Sequence, residues 1–244
     1  GQYGPDQSAC DSEYSGTELE GNVTVNGGIQ EWIVPESGNY TIEAFGAMGG
    51  GTVGGLGAMM KGDIYFEEGE VLSILVGQVG IEEDYSRVYH AGGGGGGTFI
   101  VLPNGDPVII SGGGGGCGAD EVGFDGIVSE SDGNTGAPGD GGDCGEGGSG
   151  AGFIYDGCPS SHSGGSIAAS SWINGAVGGT GSNTASDDGA GYGGFGCAGG
   201  DGYADAGGGG GYSGGNSAED GDGGFGGGSY NAGDNQDNIA GINA

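Results

Sequence analysis

Apolar and polar residues alternate through the first half of the chain in short runs separated by turn residues. Residues 22–26 (NVTVN) alternate, Gly27 and Gly28 make a turn, and residues 29–34 (IQEWIV) follow. A turn at 35–38 leads into 39–46, where Tyr40, Ile42, Ala44 and Gly46 fall on one face. Glu68 and Gly69 turn the chain from 61–66 into 71–76, and residues 103–106 join 98–102 to 107–111. A period of two puts successive side chains on opposite faces of a strand. No segment carries a sustained helical period. The runs predict an all-β fold, a compact antiparallel β-sandwich.

The pattern changes after Ser111. Leu, Ile, Val and Phe number 26 in the 91 residues from 21 to 111, but 13 in the 133 that follow, where 48 are Gly. This predicts two unlike parts of one integrated domain: 1–111 as the sandwich, and 112–244 as a glycine-rich part with returning strands. Unbroken glycine runs occupy 92–97, 112–116 and 207–211, and Gly recurs at every third position from 133 to 148. Composition alone suits a flexible linker. The spacing suits polyproline II, which has three residues per turn, so that a Gly in every third place lets neighbouring helices touch backbone to backbone. Such a bundle replaces side-chain packing with N–H···O and Cα–H···O contacts. Four cysteines in this part favour the ordered reading.

Charge narrows the partners. The formal net charge is -32, and Lys61 and Arg87 are the only basic side chains. That excludes nucleic acid and anionic membrane surfaces. Self-repulsion has to be relieved by salt or divalent cations. Asp187, Asp188, Asp220 and Asp222 are oxygen donors suited to calcium if they converge; otherwise they are solvated charge. EF-hand spacing is absent, and no other cofactor is expected.

The five cysteines form no CxxC pair, and neither His90 nor His162 has a second soft ligand nearby in sequence. Disulfides are the better reading than zinc. Two bridges are expected among Cys117, Cys144, Cys158 and Cys197, with Cys117–Cys144 and Cys158–Cys197 favoured among three connectivities. Asn22 and Asn39 head glycosylation sequons. His90 and His162 read as loop or edge residues and no Ser sits in a strand-turn-helix elbow, so an enzyme is not expected. Trp32 is expected in the core, and Trp172 as a cap on the glycine-rich part. No signal peptide or membrane-spanning run is visible.

A family resemblance rests on an ordered set of segments: 4–10 (GPDQSAC), 30–35 (QEWIVP), 38–50 (GNYTIEAFGAMGG), 68–80 (EGEVLSILVGQVG), 92–101, and 207–215 (GGGGGYSGG). In this order they resemble the glycine-rich extracellular domain of the anaplastic lymphoma kinase and leukocyte tyrosine kinase receptors, and secreted proteins with the same domain. The resemblance covers essentially the whole chain. It implies a tumour-necrosis-factor-like sandwich from which a glycine-rich polyproline II helix bundle is extruded. It implies that the partner of Cys10 lies outside the chain, and that a short strand is missing at each end of the sheet. The receptors' ligand-contacting residues do not carry over, because this acidic surface has no counterpart to them.

The expected role is an extracellular structural or adhesive subunit, self-associating into a filament or surface array through strand donation at the incomplete sheet edges. The alternative is a ligand-recognition module that binds a cell-surface or protein ligand, without membrane insertion. Fold does not decide between them.

Overall fold

The computed structural model describes residues 1–82, 91–119, 121–131, 137–161, 166–181, 191–202 and 204–242. Its elements are α1 (Gln7–Glu13) and nine strands: β1 (Val23–Asn26), β2 (Ile29–Ile33), β3 (Gly38–Phe45), β4 (Gly57–Phe66), β5 (Val71–Leu75), β6 (Thr98–Val101), β7 (Pro107–Ser111), β8 (Tyr230–Asn231) and β9 (Ile239–Ile242). Six strands form one sheet in the order β1-β2-β5-β6-β7-β8, and β3-β4-β9 form a second. All pairings are antiparallel. The all-β sandwich read from the alternation is present; β1 to β3 and β5 to β7 lie where the runs placed them, while β4 starts ahead of its 61–66 run, at Gly57.

The space between the sheets is filled by Val34, Ala44, Met60, Phe66, Leu72, Ile100, Val108 and Ile109, with Trp32 and Tyr40 packed against them. The period-two reading of β3 holds: Ala44 and Gly46 are buried while Asn39, Thr41 and Glu43 are exposed. A second core lies on the opposite face of the six-stranded sheet. There Leu75, Phe99, Val101 and Ile110 meet Ala151, Phe153, Ala169, Phe195 and Cys197 from the glycine-rich part. β6 is therefore buried at every position. That double burial explains its uninterrupted apolar run, since a strand covered on both faces has no reason to alternate.

Three elements were not placed by the alternation. Helix α1 is too short to show a period. Its start is chemical, with the Asp6 carboxylate accepting from the Ala9 N–H at 2.8 Å as an N-cap. Strand β8 comes from the glycine-rich part and pairs with β7 at Ile110 and Tyr230. Strand β9 is the last of the described strands, and it pairs with β4 through Ile242 beside Gly57 and Ile239 beside Met59. Gly241, at φ 63°, breaks its alternation, and the β4 register shifts between Gly57 and Met59.

The glycine runs are close-packed. The neighbour along 112–116 changes with a period of three. An added Cβ would meet the Gly227 carbonyl at Gly112, that of Gly95 at Gly113 and that of Gly55 at Gly114; at Gly115 and Gly116 it returns to the first two neighbours, against Gly224 and Gly92. Three residues per turn is the repeat of polyproline II. Backbone bonds cross between runs in the same step. The Gly113 N–H donates to the Gly210 carbonyl at 2.8 Å, and the Gly116 N–H to the Gly207 carbonyl at 2.9 Å. Residues ahead of Ser111 join them, since the Ala47 N–H donates to Gly96 and the Gly50 N–H to Gly93.

Candidate recognition surface

The cysteine pairing differs from the favoured one. Cys144 is bonded to Cys158 across a Cα–Cα distance of 5.4 Å, while Cys117 and Cys197 carry free thiols. The reason is local. The Cys158 N–H donates to Ser149 Oγ at 2.8 Å and the Ser149 N–H to the Cys158 carbonyl at 3.1 Å, so the segment doubles back on itself. Cys197 is wholly enclosed in the second core, and burial, with the Asp156 charge behind it, pushes its thiol well above the ordinary range. Cys117 is also buried. Loss of solvent first, and the charge of Glu82 second, raise its thiol. Cys10 is a free, buried thiol on α1 and makes no bridge to the other four.

The other expected site residues are scattered. Asn22 and Asn39 are both exposed, Asn22 ahead of β1 and Asn39 on β3. Asp220 and Asp222 lie on one turn, where the Asp222 N–H donates to the Glu219 carbonyl at 3.2 Å. Asp187 and Asp188 lie outside the described residues, as do Arg87, His90 and His162. Among the described residues no three His, Cys, Asp or Glu converge as a metal-ligating group. Trp172 covers the second core as the cap reading expected, stacking on Phe99 at 5.3 Å and on Phe153 at 6.2 Å. It opens a single 3-10 turn, Trp172–Asn174, held by Asp156. That carboxylate accepts from the Ser171 N–H at 2.7 Å, the Ser171 hydroxyl at 2.8 Å and Asn174 Nδ2 at 2.9 Å.

The charge at the surface is almost all carboxylate. Among the described residues the one ion pair joins Lys61 to Glu43 at 3.5 Å. Of the concave features among the described residues, two have linings that bear on binding. A groove of about 600 Å³ runs along the end of β3, lined by Ile42, Ala44, Met48, Ile74, Val76 and Ile100. β3 has β4 on one side and, among the described residues, no strand on the other.

The second feature is a cavity of about 430 Å³ on the glycine-rich part. Its floor is the ring pair Phe124 and Phe225, parallel within 7° at a centroid distance of 4.6 Å. Glu121, Asp143, Glu219 and Asp222 stand around it. Nothing in the sequence pattern singles out this cavity, because its lining comes from three separate stretches of the chain.

No family model matches the chain. Over 88 residues it is 39% identical to the leukocyte tyrosine kinase receptor of Mus musculus. The match takes in 33% of this chain and 10% of the receptor. It supports a distant relationship to the extracellular region of that receptor. The resemblance expected along the whole chain is thus shown over a third of it. An extracellular setting fits both the receptor similarity and the disulfide. No helix of the described residues is long and apolar enough to cross a membrane.

Proposed function

We propose that this chain is an extracellular recognition module that binds a basic protein ligand, and that it works without catalysis. The observation that carries the reading is the charge: 34 acidic side chains against two basic ones leave a surface that a basic partner complements. Similarity to a receptor's extracellular region supports it. The rigid glycine bundle suits it as well, since a scaffold fixed backbone to backbone presents its surface without an ordering cost on binding.

The test is selection from a random peptide display library on the immobilised chain, followed by titration of the enriched peptides and their scrambled versions. The expected result is basic peptides with a common sequence that bind saturably, more weakly as salt rises, and more tightly than the scrambled forms. Binding that follows net charge alone, with scrambled peptides equal, overturns the reading.

A structural or adhesive subunit is the second reading, and the open edge of β3 favours it. That edge and the apolar groove beside it offer backbone groups and side-chain pockets to a strand from another copy. Light scattering at high protein concentration decides this one. Growing assemblies support it, and a monomer at all concentrations removes it.

A further inference from the structure

We propose that the cavity over Phe124 and Phe225 is a subsite for an arginine side chain of the basic partner. The proposal rests on the recognition reading above and narrows it to one place and one group.

The floor is built rather than incidental. The Phe124 N–H donates to the Gly224 carbonyl at 2.9 Å, and its own carbonyl accepts from the Gly115 N–H at 2.8 Å. The Phe225 N–H donates to the Asn216 carbonyl at 3.0 Å, and its carbonyl accepts from the Gly209 N–H at 2.8 Å. Both rings therefore stand on backbone locked into the glycine bundle. Phe124, although stacked on Phe225, stays 51% exposed, and its neighbour Val122 stays 57% exposed.

The walls are fixed in the same way. The Asp143 N–H donates to Asn216 Oδ1 at 2.8 Å, and the Gly145 N–H donates to Ser217 Oγ at 2.6 Å. The intervening Cys144 is pinned by its disulfide to Cys158. On the far side the Gly118 N–H donates to the Glu121 carbonyl at 2.9 Å. Among the described residues, none of the carboxylates of Glu121, Asp143, Glu219 and Asp222 has a hydrogen-bond or ion-pair partner.

An aromatic face bordered by unpartnered carboxylates is complemented by a cation. A flat cation stacks on the ring face, where the quadrupole is negative, and its edge donates to the carboxylates around it. Guanidinium has that shape: it is planar, weakly hydrated, permanently charged and fork-edged, whereas ammonium is a compact and strongly hydrated point charge. The cavity lies within the size range of sites that enclose a ligand group.

The test follows the Phe124 and Phe225 ring resonances by NMR in the whole chain during titration with N-acetylarginine amide. The neutral isostere N-acetylcitrulline amide is the control. Saturable shifts are expected with arginine and little movement with citrulline. Phe124→Ala, which removes a half-exposed ring stacked on Phe225, is expected to weaken arginine binding about threefold or more while lowering the melting temperature only slightly. Glu219→Gln with Asp222→Asn is expected to weaken it further, and less so at high salt. Glu67→Gln with Glu68→Gln, an equal loss of charge on the turn before β5, leaves it unchanged. Equal shifts from citrulline, or equal weakening by the remote pair, overturn the subsite. A Phe124→Ala chain that binds the enriched basic peptides with full affinity also removes the cavity proposal, and leaves the recognition reading standing. Failure of the unaltered chain to prefer those peptides over scrambled ones removes the broader reading.

Discussion

The side-chain amide of Gln7 closes the outer edge of β1: its Oε1 accepts from the Val25 N–H at 2.8 Å, while its Nε2 donates to the Val23 carbonyl at 3.0 Å. One amide thus stands in for a neighbouring strand, presenting a donor and an acceptor to the two edge groups. A second tie holds α1 in place, the Tyr14 hydroxyl donating to the buried Gln30 Oε1 at 2.6 Å. A covered edge does not recruit another chain. Gln7→Ala removes the cover. It is expected to lower unfolding free energy by about 1 kcal/mol, because both bonds are part-exposed. It is also expected to raise the association seen by light scattering. Unchanged stability together with unchanged particle size would show that Gln7 does not guard this edge.

Much of the sandwich was legible because burial there is one-sided. Asn39, Thr41 and Glu43 look outward from β3 and Ala44 looks inward, so the alternation on the chain is the alternation in space. The second core was not legible, because Phe153, Phe195 and Cys197 each sit alone among glycines and meet Phe99 only in three dimensions. α1 escaped notice for a different reason: it is held by a cap and by Gln7 rather than by an apolar stripe. The cavity at Phe124 combines both difficulties. Residue 225 lies a hundred positions further along a stretch whose composition points to a linker.

Gly113 tests the packing of the bundle. An added Cβ there would meet the Gly95 carbonyl, which is backbone and cannot swing away, and Gly113 does not have a left-handed φ. Gly113→Ala is expected to destabilise by about 3 kcal/mol through overpacking. Gly38, where an added Cβ meets nothing within 4 Å and φ is not left-handed, is the matched control. Gly38→Ala is expected to stabilise by about 0.5 kcal/mol, by restricting the unfolded chain. Equal effects in chemical denaturation would show the glycine runs to be loose. The threefold contact repeat carries its own check: a polyproline II signature in far-ultraviolet circular dichroism, lost on unfolding of the intact chain.

The thiols should sort by accessibility. Cys197 is fully buried and its thiol is pushed well up, so the reactive thiolate is scarce and shielded. Alkylation in the native state is expected to leave Cys197 unlabelled, with full labelling after denaturation. The disulfide is separate. Cys144 and Cys158, 14 positions apart in the chain, close a loop that the chain-entropy model values at about 3 kcal/mol. Replacing both with Ser is expected to cost somewhat less, since the Ser149 bonds to residue 158 persist. Rapid native labelling of Cys197 would contradict the enclosed core.

Asp156 gives the fold a dependence on acid. Burial acts to raise its carboxyl, but the Ser171 N–H, the Asn174 amide and the Ser171 hydroxyl together outweigh that and hold it below its ordinary value. A carboxyl depressed in the folded state contributes stability that is fully present above its unfolded value, about 3.9, and is lost as pH falls through the folded one. The group is largely exposed, so the contribution is screened and stays below about 1 kcal/mol. Asp156→Asn keeps an acceptor oxygen and removes the charge. At pH 7 it is expected to destabilise the Trp172–Asn174 turn, seen as lower unfolding free energy and altered Trp172 fluorescence. As pH falls through the folded value the two proteins should converge, because the native carboxyl is then protonated as well. A stability gap that stays constant from pH 7 to pH 2 would show that Asp156 acts through shape alone, and that its charge does not hold the turn under which Phe99 and Phe153 are covered.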